Sequence, residues 1–313
     1  MTASENSSIK KPDPLLRVVG FFCILSAFLA CGGEWTNGDG PKISCRFSDV
    51  PFSTAREITL SADGEALYVL DIYGSVYAFN RNGARVCAFE PARTPENPDA
   101  RLPVTAAEKI QNVGSFLYYY DGISLLRYDD AKWNCDVSLS SMALSASYVY
   151  GAASAGISKL KIGAGGCSKT GTSFPAARVM ALDARAGMVA TVETSGALSD
   201  APERFSIYDA DGSLRARTAL ASGENANSLS FCSATRLRLG SAFAVLFDAK
   251  CGNLGVFDLS GGLLHRQKLS DMGVRNAVDI DVLGDDLYIL TSSLVEPLYF
   301  LDLASYAFGE ESI

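Results

Sequence analysis

The chain has 313 residues, 48% of them hydrophobic and 20% charged, which suits a sizeable globular core and excludes a disordered polymer. Its formal net charge is −8, and no run of five or more Lys/Arg residues occurs anywhere. Neutralising phosphates needs a basic footprint, so nucleic-acid binding is excluded, and the same acidity opposes an electrostatic hold on anionic lipid.

The first 30 residues read as a targeting segment. Lys10, Lys11 and Arg17 supply positive charge, and Val18 to Ala30 form a 13-residue, mostly apolar stretch. That is signal-peptide length, short of the roughly 20 residues a spanning helix needs. The stretch ends in Phe28-Leu29-Ala30-Cys31-Gly32, which resembles the lipobox of bacterial lipoproteins. The resemblance implies cleavage before Cys31, acylation of its thiol and new amino group, and, from Gly32 at the following position, sorting to the outer membrane. Residues 32–41, GGEWTNGDGP, suit a flexible tether. The alternatives are a signal peptide cleaved nearby without lipid and a buried N-terminal helix. The expected organisation is a lipoprotein signal peptide over 1–30, a lipid-anchored tether over 31–41 and a folded domain over 42–313. The expected address is the cell envelope, with membrane contact through the lipid alone.

Of eight cysteines, Cys23 leaves with the signal and Cys31 carries the lipid, so six remain. An even number in an exported chain points to disulfides, and six cysteines have 15 connectivities. No CxxC and no Cys/His pair is present, which argues against zinc.

From Lys42 onward the pattern is strand alternation broken by turn residues. Residues 57–86 hold three β-rich runs separated by Asp63-Gly64, Tyr73-Gly74 and Asn82-Gly83, the signals of an up-and-down meander. A strand–turn–strand unit recurs, with Phe79, Tyr128, Leu160, Tyr208, Phe257 and Leu301 in equivalent places at intervals of 49, 32, 48, 49 and 44 residues. A hydrophobic strand precedes each: 66–71, 116–121, 148–152, 188–193, 243–248 and 287–292. Six units of about 45 residues with about four strands each predict an all-β fold, a six-bladed β-propeller of four-stranded antiparallel blades. Closure is the physical reason, since a sheet with two apolar faces buries both only between two neighbours. The first unit resembles that of NHL and SMP-30-like six-bladed propellers. The third blade is short, and the Pro-rich residues 91–105 form an interblade loop. Two segments compete to close the ring, KISCRF (42–47) and SYAFGEE (305–311).

Pairing about the Gly240-Ser241 turn brings Cys232 and Cys251 together, and a disulfide is expected there. Cys87, Cys135 and Cys167 fall on outer strands, which diverge between neighbouring blades. The pairing of Cys45, Cys87, Cys135 and Cys167 is therefore open.

Residues 163–172, GAGGCSKTGT, echo a phosphate loop, but Ser168 replaces its second glycine and the context is strand–turn–strand, so a hairpin is expected. Residues 209–214, DADGSL, lack the ligands of a full calcium loop and predict a turn with Gly212 at positive φ. His265, the single histidine, falls on an outer strand, and no G-x-S-x-G occurs. The run Tyr118-Tyr119-Tyr120 is expected to be core. One enzymatic alternative remains. Glu57-Ile58-Thr59-Leu60 and the strand from Leu67 to Ile72 are similar to the first blade of calcium-dependent lactonases of the gluconolactonase type. That resemblance implies Ca²⁺ held by Glu57, Asn112, Asn227, Asn276 and Asp279 at the channel mouth. The favoured expectation has no catalytic residue and no cofactor. It is a monomeric, lipid-anchored scaffold presenting propeller loops to a protein or glycan of the envelope.

Overall fold

The computed structural model describes residues 42–304, except 48, 52–53, 84–86, 105, 138–139, 154–155, 195–201, 221–230 and 234–235. The predicted signal peptide, Cys31 and its tether lie outside the described residues, as does the segment 305–311. Two short strands open the described residues, β1 (Lys42–Ser44) and β2 (Arg46–Phe47). The first four-strand unit is β3 (Ala55–Leu60), β4 (Ala66–Asp71), β5 (Val76–Arg81) and β6 (Ala88–Pro91). The second is β7 (Lys109–Val113), β8 (Phe116–Tyr120), β9 (Ser124–Arg127) and β10 (Asp130–Asp136). The third is β11 (Ser141–Ser145), β12 (Tyr148–Ala153), β13 (Gly156–Gly163) and β14 (Gly166–Phe174). The fourth is β15 (Arg178–Arg185), β16 (Met188–Thr194), β17 (Arg204–Asp209) and β18 (Leu214–Ala219). The fifth is β19 (Arg236–Leu239), β20 (Phe243–Asp248), β21 (Asn253–Asp258) and β22 (Leu263–Lys268). A 3-10 turn, Leu269–Met272, then leads to β23 (Ala277–Leu283), β24 (Asp286–Thr291) and β25 (Leu298–Asp302).

Each unit is an antiparallel meander, and its first strand packs against the first strand of the next. Thus β3 meets β7, β7 meets β11, β11 meets β15, β15 meets β19, β19 meets β23, and β23 returns to β3. The repeat residues Phe79, Leu160, Tyr208, Phe257 and Leu301 all lie on third strands, and Tyr128 lies one residue past β9. The last three strands take their fourth from the chain's start: β1 runs antiparallel to β25, with Lys42 opposite Leu301 and Ser44 opposite Tyr299. Residues 42–44 of KISCRF therefore join the last sheet.

Two details depart from the expected scheme. The strands form five sheets, because β7–β10 and β11–β14 share one sheet of eight. Their outer strands converge where divergence was expected, with Asn134 of β10 beside Gly166 of β14 in parallel. Gly166 makes this approach feasible: a Cβ there would stand 2.1 Å from the Asn134 carbonyl oxygen, and its φ is +152°. A disulfide between Cys135 and Cys167 crosses the same seam. The second departure is β2, which adds parallel to β6, while a Cys45–Cys87 disulfide ties this opening segment to the first unit. A third disulfide joins Cys232 to Cys251, which flank the β19–β20 hairpin.

The cores lie between neighbouring units. Ile58 and Leu60 pack on Tyr288 and Leu290, and Phe205 stacks on Phe257 with ring centroids 4.6 Å apart. Trp133 is fully buried under Tyr118, and its Nε1–H donates to the Gly163 carbonyl at 2.9 Å. Burying each such side chain contributes about 2 kcal/mol. Tyr118 and Tyr120 are core as expected, and Gly212 turns DADGSL with φ +91°.

Candidate functional site: the ring axis and one loop face

The six innermost strands each present an unpaired edge to the next. Turn geometry decides which amides point there. The pairs Val113–Phe116, Ser145–Tyr148 and Arg185–Met188 flank two-residue turns, so each pair exchanges both of its backbone hydrogen bonds. Alternation then turns the N–H groups of Ile110 and Asn112, Met142 and Leu144, and Leu182 toward the preceding strand of the ring. Such a group needs an acceptor. Side chains of the preceding strand accept from six of them. Asp279 Oδ2 accepts from Ile58 at 2.8 Å and Asp281 Oδ2 from Leu60 at 2.7 Å. Glu57 Oε2 accepts from Ile110 at 3.0 Å and Thr59 Oγ1 from Asn112 at 2.9 Å. Gln111 Oε1 accepts from Leu144 at 3.0 Å and Asp183 Oδ2 from Leu239 at 2.6 Å.

By this register the axis carries two layers of side chains. The first holds Glu57, Lys109, Ser141, Ala181, Arg236 and Asp279. The second holds Thr59, Gln111, Ala143, Asp183, Arg238 and Asp281. The arginines of β19 balance the buried acids. Arg236 donates from Nη2 to Glu57 at 2.8 Å and from Nε to Asp279 at 2.5 Å. Arg238 donates from Nε to Asp281 at 3.1 Å and lies 3.8 Å from Asp279. Burial raises Glu57 and Asp281 above the ordinary carboxyl range, against the pull of the arginines, and raises Asp183 to about 6. Burial also lowers Lys109, although Glu57 opposes this. For Arg238, burial would lower the guanidinium, but Asp279 and Asp281 outweigh it and hold the charge.

The ligand set implied by the lactonase resemblance does not assemble. Glu57 and Asp279 do converge, yet the Arg236 guanidinium stands between them and takes an oxygen from each. Asn112 sits near the end of β7 rather than its start, and its buried Oδ1 has no hydrogen-bond partner. Asn276 precedes β23 in a left-handed conformation, and its carbonyl accepts from the Ser292 N–H at 3.0 Å. Asn227 lies outside the described residues. Ca²⁺ takes six to eight oxygen ligands, and these residues do not fit it. Among the described residues, Cys232, Asp248 and Cys251 gather closely enough to suggest a metal, but the disulfide uses both sulfurs. The GAGGCSKTGT stretch is the β13–β14 hairpin, and His265 lies on the outer strand β22.

Beside the ion pairs is a cavity of about 80 Å³, lined among others by Lys109, Ser141, Met142, Leu182 and Leu237. It exists where the first layer carries the small Ser141 and Ala181. A second feature is an apolar loop face. Ile72 (51% exposed), Tyr73 (74%), Ile123 (76%), Leu294 (62%) and Val295 (90%) are the most exposed large apolar residues described. All five sit between the second and third strands of the first, second and last units, at one end of the ring. Backbone bonds from Ala107 to Gly74 and from Glu108 to Tyr120 tie the first two of these loops together. Sequence reasoning treated 73–74 as a plain turn and missed this face. It also missed Asp183, Arg236, Arg238 and Asp281, whose signal was present as charges two residues apart on otherwise apolar strands.

No family model matches the chain, and no curated protein matches it. Among solved structures it is similar to virginiamycin B lyase from Staphylococcus aureus, with TM-score 0.53 and 11% identity over 84% of this chain and 98% of that one. Lesser similarity is found to Kluyveromyces lactis Hsv2 (TM-score 0.48, 12% identity, 76% and 70% covered) and to BamB from Moraxella catarrhalis (0.41, 11%, 79% and 82%). With the ring topology, the first likeness defines the class: the chain is a β-propeller. At such identity the likeness concerns the fold alone. Among the described residues no helix is long and apolar enough to cross a membrane.

Proposed function

We propose that the chain is a six-bladed β-propeller, held in the bacterial cell envelope by lipid on Cys31, which binds a protein or glycan partner through one face. The closed cycle of six innermost strands supports the blade number. The observation that carries the binding reading is the apolar loop face, because turns are ordinarily polar and three adjacent units expose aliphatic or aromatic tips at the same end. Lys42 lies opposite Leu301, near the end of β25, at the other end of the ring from Leu294 and Val295. The axis supports the same reading, since its acids are engaged by arginines and backbone amides rather than left for chemistry.

A photo-crosslinking residue placed at Ile123, compared with one at Leu264 on the rim, tests the reading in cells. The expected result is a discrete adduct from position 123 and none from 264. Equal adducts from both, or none from 123, overturn it. Labelling with a radioactive fatty acid tests the anchor separately, with Cys31→Ser expected to lose both the label and the membrane fraction.

A further inference from the structure

The handover of amides to acceptors around the axis is incomplete: in the first layer Asp279 and Glu57 serve Ile58 and Ile110, whereas Met142, Leu182, Leu237 and Ile280 receive no such acceptor, and the first three of these line one cavity. Met142, Leu182 and Leu237 occupy the register positions of Ile58 and Ile110, and alternation aims their N–H groups at the preceding strand in the same way. At the places where Asp279 and Glu57 serve Ile58 and Ile110, the preceding strands carry Lys109, Ser141 and Ala181. An ammonium cannot accept, and a methyl group has nothing to offer; the Ser141 hydroxyl is able to accept, but among the described residues no hydrogen bond joins it to the Leu182 N–H. Among the described residues no hydrogen bond reaches the N–H of Met142, Leu182 or Leu237.

All three line the 80 Å³ cavity. Its charged lining is Lys109, Arg236 and Arg238 against the single carboxylate of Glu57. Both arginines are committed to acids of the ring, whereas Lys109 Nζ makes one long contact, 3.4 Å to the Ser140 carbonyl. The lining therefore offers backbone donors and a cation, in a place where the same architecture uses a carboxylate on its other side.

We propose that this cavity binds one carboxylate group, whose two oxygens accept from amides of the set Met142, Leu182 and Leu237 and whose charge faces Lys109. The ligand supplies what Asp279 and Glu57 supply in cis elsewhere on the axis. The volume corresponds to a few waters, so it admits an acetate-sized group, while organic ligand pockets start at about 300 Å³. Gln111 and Arg238 of the second layer form the floor, so the site opens toward the starts of the innermost strands. That is the end bearing Tyr73 and Val295. The carboxylate is either a free small acid or the end of a docked peptide, and the site stands whether or not the chain is lipid-anchored.

The full chain, purified in detergent, is titrated with acetate and with chloride at matched ionic strength over about 1–100 mM, reading thermal midpoint and the NMR line width of labelled acetate. The expected result is a midpoint that rises with acetate but not chloride, with broadened acetate resonances. Lys109→Gln weakens the response about tenfold. Ala181→Asp places a carboxylate beside Leu237 in cis, so it melts higher without acetate and responds less to it. Peptides with a free C-terminus are compared with their amidated forms. Binding tighter than acetate and lost on amidation assigns the site to a peptide end, and binding no tighter than acetate assigns it to a free acid. No response to acetate, a response equalled by chloride, or an unchanged response in Lys109→Gln overturns the proposal. Should Lys109→Gln fail to fold, the line width in the native chain and the Ala181→Asp response decide.

Discussion

Arg236 serves two buried acids with one guanidinium, and its removal strands both. Arg236→Met leaves Glu57 and Asp279 without their shared cation, so it is expected to destabilise the fold by about 3 kcal/mol in urea unfolding. Asp183 makes a different prediction. Its unfolded carboxyl titrates near 3.8 and its folded one near 6, so between those values the folded state holds more protons. Stability therefore falls as pH rises from about 4 to about 6, by about 3 kcal/mol from this group, and levels off above. Glu57 and Asp281 are raised by the same burial and act with the same sign. Asp183→Asn keeps an acceptor for Leu239 and removes the charge, so unfolding measured across that window should show a shallower slope. The axis was partly legible. Glu57 and Asp279 were singled out through a family resemblance, but their cation was not, because Arg236 lies 179 and 43 residues away along the chain. Local pattern marks a charge on an inner strand, and only ring closure tells which charges meet.

At the scale of elements, the second and third strands were the legible ones, since their apolar runs and flanking turn dipeptides are local signals. The seam between β10 and β14 was not, because alternation within a strand carries no information about the neighbouring rim. That seam depends on Gly166. Gly166→Ala drives a Cβ into the Asn134 carbonyl and is expected to cost about 1–3 kcal/mol in denaturant unfolding, whereas Gly165→Ala, whose Cβ meets nothing, serves as its control. The disulfides rank by the chain they enclose. Cys45 and Cys87 are separated by 42 residues and Cys232 and Cys251 by 19, so loop entropy assigns about 4 and about 3 kcal/mol to their loss. Paired Cys→Ser replacements compared by thermal unfolding check that order.

Over the whole molecule, the polar axis holds neighbouring innermost strands together, and the apolar loop face is where the proposed partner would sit. Tyr73 and Val295 are so exposed that Tyr73→Asp and Val295→Asp should leave unfolding within about 0.5 kcal/mol of the native chain. The same changes should abolish the crosslinked adduct from position 123, which separates a contact residue from a structural one. The loop face was hidden in the sequence because each tip is one or two residues long, and only curvature gathers them.

The borrowed strand also places the protein in time. A ribosome makes β1 well before its neighbour β25, so the closing strand has no bed to lie in until β25 follows. The Cys45–Cys87 disulfide ties that strand to the first unit, a link that does not depend on β25. A chain cut short before Leu298 keeps this link and leaves an open edge to which another strand can add.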